Sequence, residues 1–301
     1  MNLSKWLLPK LYIHSWGGIG SQLCAVSVYF DLLHSNKRRI RLVLHSSGVT
    51  RRDDATFREL FPSLEYSFLD DYREVEASGS IQGTQIRHRR SRERCNSITY
   101  LKRFLHVIGF IRFGEFEKST RIHPWTYSLR NTYAKTKISE ASIEKIWWAI
   151  DSVVKNHKHH LIELEPTNLV CHYRIGDLAN LTSKHFTSPT HLFSLILKIA
   201  KDQPVNRCLI VTESMEFVQN HIDKLDNAAV EFKITNLDVL QLIHVGKIAP
   251  IFVGTNSKLS VWIALFRARS EKHANTTFLP AEMREEFLSH YPRSGQFVSY
   301  F

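Results

Sequence analysis

An arginine that follows an apolar run and precedes a Gly-Asp pair is the first chemical signal in this chain. Asn168-Leu169-Val170-Cys171 leads into His172-Tyr173-Arg174-Ile175-Gly176-Asp177. The apolar run reads as a buried parallel strand. The polar residues then fall at its carboxyl end, where ligands bind in open α/β sheets. Arg174 offers a fixed cation and a planar fork of donors suited to phosphate. His172 either packs beneath the turn or donates to a ligand. Gly176 permits a bend, and Asp177 reads equally as a cap of the next segment or as a base. These residue types suit recognition of a phosphorylated molecule, above all a nucleotide-activated donor.

Two further clusters suit the same chemistry. Trp16-Gly17-Gly18-Ile19-Gly20-Ser21-Gln22-Leu23 stands between a strand and a helix signal. Gly17, Gly18 and Gly20 let backbone approach a ligand, and a helix N-terminus supplies free amides and partial positive charge. The pattern is not GxGxxG and lacks the acidic partner of a dinucleotide site. A tight turn explains it as well as a ligand loop does. The other cluster is Gly254-Thr255-Asn256-Ser257, again between strand and helix. Asn256 or Ser257 is a natural N-cap, and the same turn is equally a phosphate cradle. Asp238 opens a predicted helix and serves either its dipole or a ligand. His14 and Glu213 fall at predicted strand ends, where either, like Asp177, is a candidate base.

The elements that must position these residues alternate strand and helix. Strands are predicted at Leu11–Ser15, Ile40–His45 and Glu65–Leu69, with helices at Ser21–Ser35 and Thr56–Phe61. From Tyr72 to Ser97 periodicity is lost in a polar Gly/Ser/Arg-rich stretch, which is expected as an exposed insertion. Tyr100–Phe113 is basic and amphipathic, suited to core packing or to an anionic membrane surface. A helix at Glu140–Lys155 leads to the second half. There strands are predicted at Leu169–Tyr173, Cys208–Thr212, Val230–Ile234 and Ile248–Val253. Helices are predicted at Thr190–Lys201, Met215–Leu225, Leu237–Val245 and Ser257–Arg269. This rhythm predicts an α/β chain of two Rossmann-like domains facing across a cleft. The expected domains are 1–155, with a basic insertion near 72–115, and 156–301.

Composition narrows the function classes. With 301 residues, 43% apolar and 23% charged, the chain is in the globular range. No apolar run reaches the roughly 18–20 residues that span a bilayer. The first residues, interrupted by Pro9 and Lys10, read as a lead-in to the first strand and not as a signal peptide. The four cysteines, Cys24, Cys95, Cys171 and Cys208, are scattered. That pattern points to reduced thiols in a cytosolic protein and away from zinc. Forty Lys and Arg against 29 Asp and Glu give a net charge of +11, which calls for anionic partners. Arg87, Arg89, Arg90, Arg92 and Arg94 crowd one polar stretch that reads as a solvated loop or as a basic patch. No aromatics interleave with them, and no nucleic-acid-binding motif occurs, so nucleic acid is not the expected partner.

Taken in order, the three clusters resemble the α-1,2-fucosyltransferase family and its relatives among the two-domain GT-B-type glycosyltransferases. GGIGSQL at Gly17–Leu23 is similar to that family's GGLGNQ-like turn, and HYRIGD at His172–Asp177 to its HxRRGD. Asp238, Asn256, Ser257 and Trp262 follow the order of its last motif, while nothing between Tyr72 and Glu165 matches. Two departures stand out: Ile175 replaces the second arginine and Ser21 the asparagine. The resemblance implies an inverting sugar transfer from a nucleotide-sugar donor, GDP-linked in that family, to a glycan hydroxyl in polysaccharide synthesis. Arg174 and the amides at Gly17–Gly20 and Asn256–Ser257 would stabilise the leaving diphosphate, with His172, Glu213 and Asp238 at the donor and Asp177 first among the bases. No DxD pair stands in a loop (Asp53-Asp54 and Asp70-Asp71 are adjacent), so no metal cofactor is expected. A lipid-linked acceptor would give the basic Arg87–Arg112 region a task at the inner face of a membrane, with the enzyme cytoplasmic and peripheral. The rival readings are a basic nucleic-acid-binding protein and an inactive glycosyltransferase-like scaffold.

Overall fold

The computed structural model describes residues 11–35, 40–45, 53–69, 126–128, 138–156, 169–175, 186–225, 230–269, 275–284 and 298–301. The chain divides into two compact units, 1–146 and 147–301. The expected insertion near 72–115, the amphipathic stretch 100–113, Cys95, and Gly176 and Asp177 lie outside the described residues.

The first unit holds strands β1 (Leu11–Trp16), β2 (Ile40–His45), β3 (Tyr66–Leu69) and β4 (Thr126–Ser128). They lie in the order β3-β2-β1-β4, all parallel. Helix α1 (Ile19–Ser35) follows β1, and α2 (Asp54–Leu60) follows β2. A parallel sheet covered by helices reads as an apolar run because both faces are buried. Accordingly Leu42, Val43 and Leu44 are all buried, as are Leu23, Val26 and Leu32 of α1 and Phe57 of α2. Asp53 caps α2 by accepting from the Thr56 amide at 3.0 Å. Strand β4 was absent from the expectation, because three residues are too few to show a period of two.

Helix α3 (Glu140–Asn156) contains the division between the units, at Ile146 and Trp147. Its buried stripe, Ile143, Ile146, Ile150 and Val154, repeats at helical spacing. Ser139 receives the Ser142 amide at 3.1 Å, and Asp31 of α1 accepts from the hydroxyls of both serines.

The second unit is a six-stranded parallel sheet. Its strands are β5 (Leu169–His172), β6 (Arg207–Val211), β7 (Glu231–Thr235), β8 (Ile251–Gly254), β9 (Thr277–Leu279) and β10 (Val298–Tyr300). Their order is β10-β9-β8-β5-β6-β7. Counted within the unit, that is 3-2-1-4-5-6, the doubly wound order. Helices α4 (Pro189–Asp202), α5 (Met215–Ile222), α6 (Val239–Ile248) and α7 (Lys258–Arg267) connect the first five strands. The two units together make an α/β chain of Rossmann-like halves.

Two boundaries correct the expectation. Helix α6 runs to Ile248, three residues past its expected end at Val245, and β8 begins at Ile251 instead of Ile248. Pro250 explains both. The residue before a proline is pushed out of the helical region, and Ala249 is extended with ψ 140°. Strands β9 and β10, three residues each, were not anticipated.

One side chain ties the far part of this sheet together. Arg267 is fully buried at the end of α7. Its Nε donates to Thr277 Oγ1 at 2.8 Å, and the guanidinium donates to the carbonyls of Gly246, Lys247, Ala249, Pro250 and Thr276. It thereby satisfies the carbonyls left over at the end of α6.

Candidate functional site

Strand order alone selects one crevice in the second unit. The chain winds away from β5 in both directions, with β6 on one side and β8 on the other. In doubly wound sheets, the carboxyl ends of two strands at such a reversal of strand order are where ligands bind. His172-Tyr173-Arg174-Ile175 leaves β5 at that point, and Thr255-Asn256-Ser257 leaves β8 beside it.

Hydrogen bonds from both neighbouring strands hold the β5 turn. Thr255 donates through its amide (3.1 Å) and its hydroxyl (3.0 Å) to the His172 carbonyl. The same hydroxyl accepts from the Arg174 amide at 3.0 Å. From the other side, Glu213 Oε1 accepts from the Ile175 amide at 3.0 Å, and Tyr173 donates its amide to the Val211 carbonyl at 2.9 Å. The successive amides of Tyr173, Arg174 and Ile175 are thus all taken within the protein. The same turn carries the side chain of Arg174, half-buried at the carboxyl edge of the sheet.

His172 lies beneath the turn, 6% exposed, with Nδ1 2.8 Å from Ser260 Oγ on α7. Burial, and secondly the Arg174 guanidinium, push its pKa down to about 3, so the ring is neutral at pH 7. A neutral imidazole pinned to α7 is a prop for the turn. Gly254 makes that contact attainable, because an added Cβ there would stand 2.6 Å from Ser260 Cβ and 2.8 Å from Leu279 Cδ2.

Ser257 is buried and caps α7, accepting from the Leu259 amide at 3.2 Å. Asn256 is half-buried between Thr255 and this cap. Asp238 stands elsewhere, beyond edge strand β7, in a reciprocal capping box. It accepts from the Gln241 amide at 2.8 Å, and Gln241 Oε1 accepts the Asp238 amide at 3.2 Å. The structure therefore gathers His172, Arg174, Glu213, Asn256 and Ser257 at one sheet edge, with Asp238 two strands from β5. Sequence reasoning missed Ser260 and the bridging role of Thr255. A serine inside the apolar run of α7 was the available signal for the first; nothing local signals the second.

In the first unit, the Gly17–Gly18 turn follows β1, the strand flanked by β2 and β4. Gly17 has φ +104°, a conformation that glycine adopts without strain. The Gly18 carbonyl accepts from the amides of Ser21 and Gln22 at 3.0 and 3.1 Å, and the buried Ser15 hydroxyl donates to the Ser21 carbonyl at 3.0 Å. Gly20 sits in the first turn of α1, which begins two residues before the expected Ser21. Gln22 is 1% exposed, and among the described residues neither its Oε1 nor its Nε2 has a hydrogen-bond partner. His14 lies within β1, its backbone aligned with Val43 and Ser128.

Among the described residues, no group of three or more His, Cys, Asp or Glu side chains is disposed to hold a metal ion. Cys24, Cys171 and Cys208 are buried free thiols. No helix among the described residues is long and apolar enough to cross a membrane.

No described protein family and no curated protein matches this chain. Among solved structures it is similar to NodZ α-1,6-fucosyltransferase soaked with GDP-fucose. That match has 13% identity, covers 86% of this chain and 93% of that one, and has a TM-score of 0.41. It is also similar to the E. coli heptosyltransferase WaaC with ADP, at 12% identity, 97% and 93% coverage and a TM-score of 0.49. A third similar structure is the UDP-GlcNAc 2-epimerase from Methanocaldococcus jannaschii, at 10% identity, 93% and 91% coverage and a TM-score of 0.43.

Proposed function

We propose that this protein is a glycosyltransferase that takes a nucleotide-sugar donor in its second unit and transfers the sugar, fucose-like by the motif resemblance, to a glycan hydroxyl. One observation carries the reading. Arg174 emerges at the switch point of a doubly wound parallel sheet, on a turn whose own amides are already bonded to Val211, Thr255 and Glu213. A cation held on so rigid a turn suits a diphosphate, where pre-positioned charge stabilises a leaving group without reorganisation.

In this reading Arg174 and the amides at the start of α7, beside Asn256 and Ser257, take up the charge that develops on the departing nucleoside diphosphate. An acceptor oxygen attacks the anomeric carbon in one step with inversion, and Asp177 accepts its proton. The motif resemblance assigns the amides of the Gly17–Gly20 turn to the leaving diphosphate as well, makes the first unit the acceptor-side domain, and leaves His14 as a further candidate base. The step needs no metal. The acceptor is a growing or lipid-linked glycan of a surface polysaccharide, and the basic stretch Arg87–Arg112 holds a cytoplasmic enzyme against an anionic membrane. Support for these finer statements comes from the order of the three motifs and from the charge balance.

The test is a thermal-shift series without metal, using GDP, UDP, ADP, CMP and their sugar conjugates on wild type and Arg174→Ala. Stabilisation by one nucleotide class, lost in the variant, is the expected result. At a ligand concentration one hundred times Kd, the wild type gains about 2.7 kcal/mol. If no nucleotide stabilises the wild type while oligonucleotides do, the reading is wrong and the chain is a nucleic-acid binder.

A further inference from the structure

The two sides of Arg174 offer different surfaces to the rest of a nucleotide. Toward β8 the turn is Asn256–Ser257, and the rings of α7 behind it, Trp262 and Phe266, are 1% and 2% exposed. Toward β6 stands the exposed carboxylate of Glu213. Helix α5 begins two residues later, carrying Met215 and Phe217 at 46% and 38% exposure. Among the described residues the exposed large apolar side chains are Leu33, Trp148, Met215, Phe217 and Ile248. Only α5 carries two of them.

Phe217 is the outer member of a series of ring contacts that begins next to Arg174 in the chain. Tyr173 meets Phe186 with centroids 6.4 Å apart, and Phe186 meets Phe217 edge-on at 6.4 Å. Phe217 is backed by His221, one helical turn on, at 4.5 Å. Tyr173 is itself anchored through its hydroxyl to the Thr187 carbonyl at 2.9 Å. A ring supported in this way from the site's own interior loses little side-chain freedom when something stacks on it.

We infer that the nucleobase of the donor stacks on Phe217, so that the nucleotide runs along the sheet edge from Arg174 across Glu213 to α5. The inference rests on the donor-site reading above and fixes the direction of the ligand within that site. Neighbouring strands are about 4.8 Å apart, and a ribose carries a base away from its phosphate by a span of that order. The base therefore belongs above a neighbouring strand. Among the described residues, the β6 side supplies an exposed ring, in the first turn of the helix that follows β6, and the β8 side supplies none. Charge agrees. Glu213 repels a phosphate from the β6 side, while its carboxylate has acceptor capacity beyond the Ile175 amide for the ribose hydroxyls.

The test compares GDP, UDP and ADP with inorganic pyrophosphate, which has no base, by titration calorimetry on the full chain. The variants are Phe217→Ala, Phe217→Trp and Arg174→Ala. Phe217→Ala should weaken the preferred nucleotide about tenfold or more and leave pyrophosphate unchanged. Phe217→Trp should retain nucleotide affinity, and its indole fluorescence should be quenched by nucleotide and not by pyrophosphate. If Phe217→Ala weakens neither ligand, or both equally, while Arg174→Ala abolishes nucleotide binding, the stacking inference is overturned and the donor site stands. If wild type binds none of these ligands, both fall together.

Discussion

At the scale of single residues, the turn after β5 is shaped by side chains that bond to one another. Thr255 and Glu213 fix the turn that carries Arg174, and His172 fixes that turn to α7 through Ser260. His172 makes the arrangement sensitive to acid. Its folded pKa is near 3 because burial and Arg174 disfavour the charged ring, whereas an unfolded histidine titrates near 6.5. Below about pH 6.5 the unfolded chain takes up a proton that the folded one refuses. Stability therefore falls as pH drops from about 6.5 towards 3, by up to about 1.4 kcal/mol per pH unit from this group. Urea midpoints at pH 7 and 4.5 should separate further for wild type than for His172→Asn. Equal separations would mean that the imidazole is not buried neutral.

At the scale of elements, helix ends decide much of the geometry. Asp53, Ser188, Asp238 and Ser257 each accept an amide in the first turn of a helix. A cap of this kind contributes about 1 kcal/mol. Arg267 does the converse for the end of α6 and also holds β9 through Thr276 and Thr277. Burial lowers its pKa, and its partners are carbonyl and hydroxyl oxygens instead of a carboxylate. Arg267→Met should therefore cost about 3 kcal/mol or more, since several buried carbonyls lose their donors at once. Arg267→Lys should rescue little, because an ammonium cannot span the same set of acceptors. Chemical denaturation measures both, and near-wild-type midpoints for Arg267→Met would show that water replaces the guanidinium at small cost.

At the scale of the whole molecule, the net charge of +11 acts over distances that salt controls. The screening length is about 10 Å at 0.1 M salt and about 3 Å at 1 M. Vesicles containing phosphatidylglycerol should sediment the protein at roughly 0.05 M salt and release it near 1 M, and phosphatidylcholine vesicles should not bind it. Retention at high salt would point to apolar insertion in place of charge.

The sequence by itself determined the α/β alternation, the apolar strands β1, β2, β5, β6 and β8, and the polar turns after β1, β5 and β8. These are local properties, written in runs and turn residues a few positions apart. It did not reveal β4, β9 and β10, which are too short to carry a period. Nor did it reveal that His172 is pinned to Ser260, 88 positions away; for Asp238 it offered a helix-end role beside a ligand role, and the capping box with Gln241 shows the helix-end role. Only the tertiary structure decided the strand order that sets β5 between β6 and β8, and with it the meeting of Arg174, Thr255 and Glu213. Strand neighbours are chosen by packing between segments distant in the chain, and no local pattern records that choice.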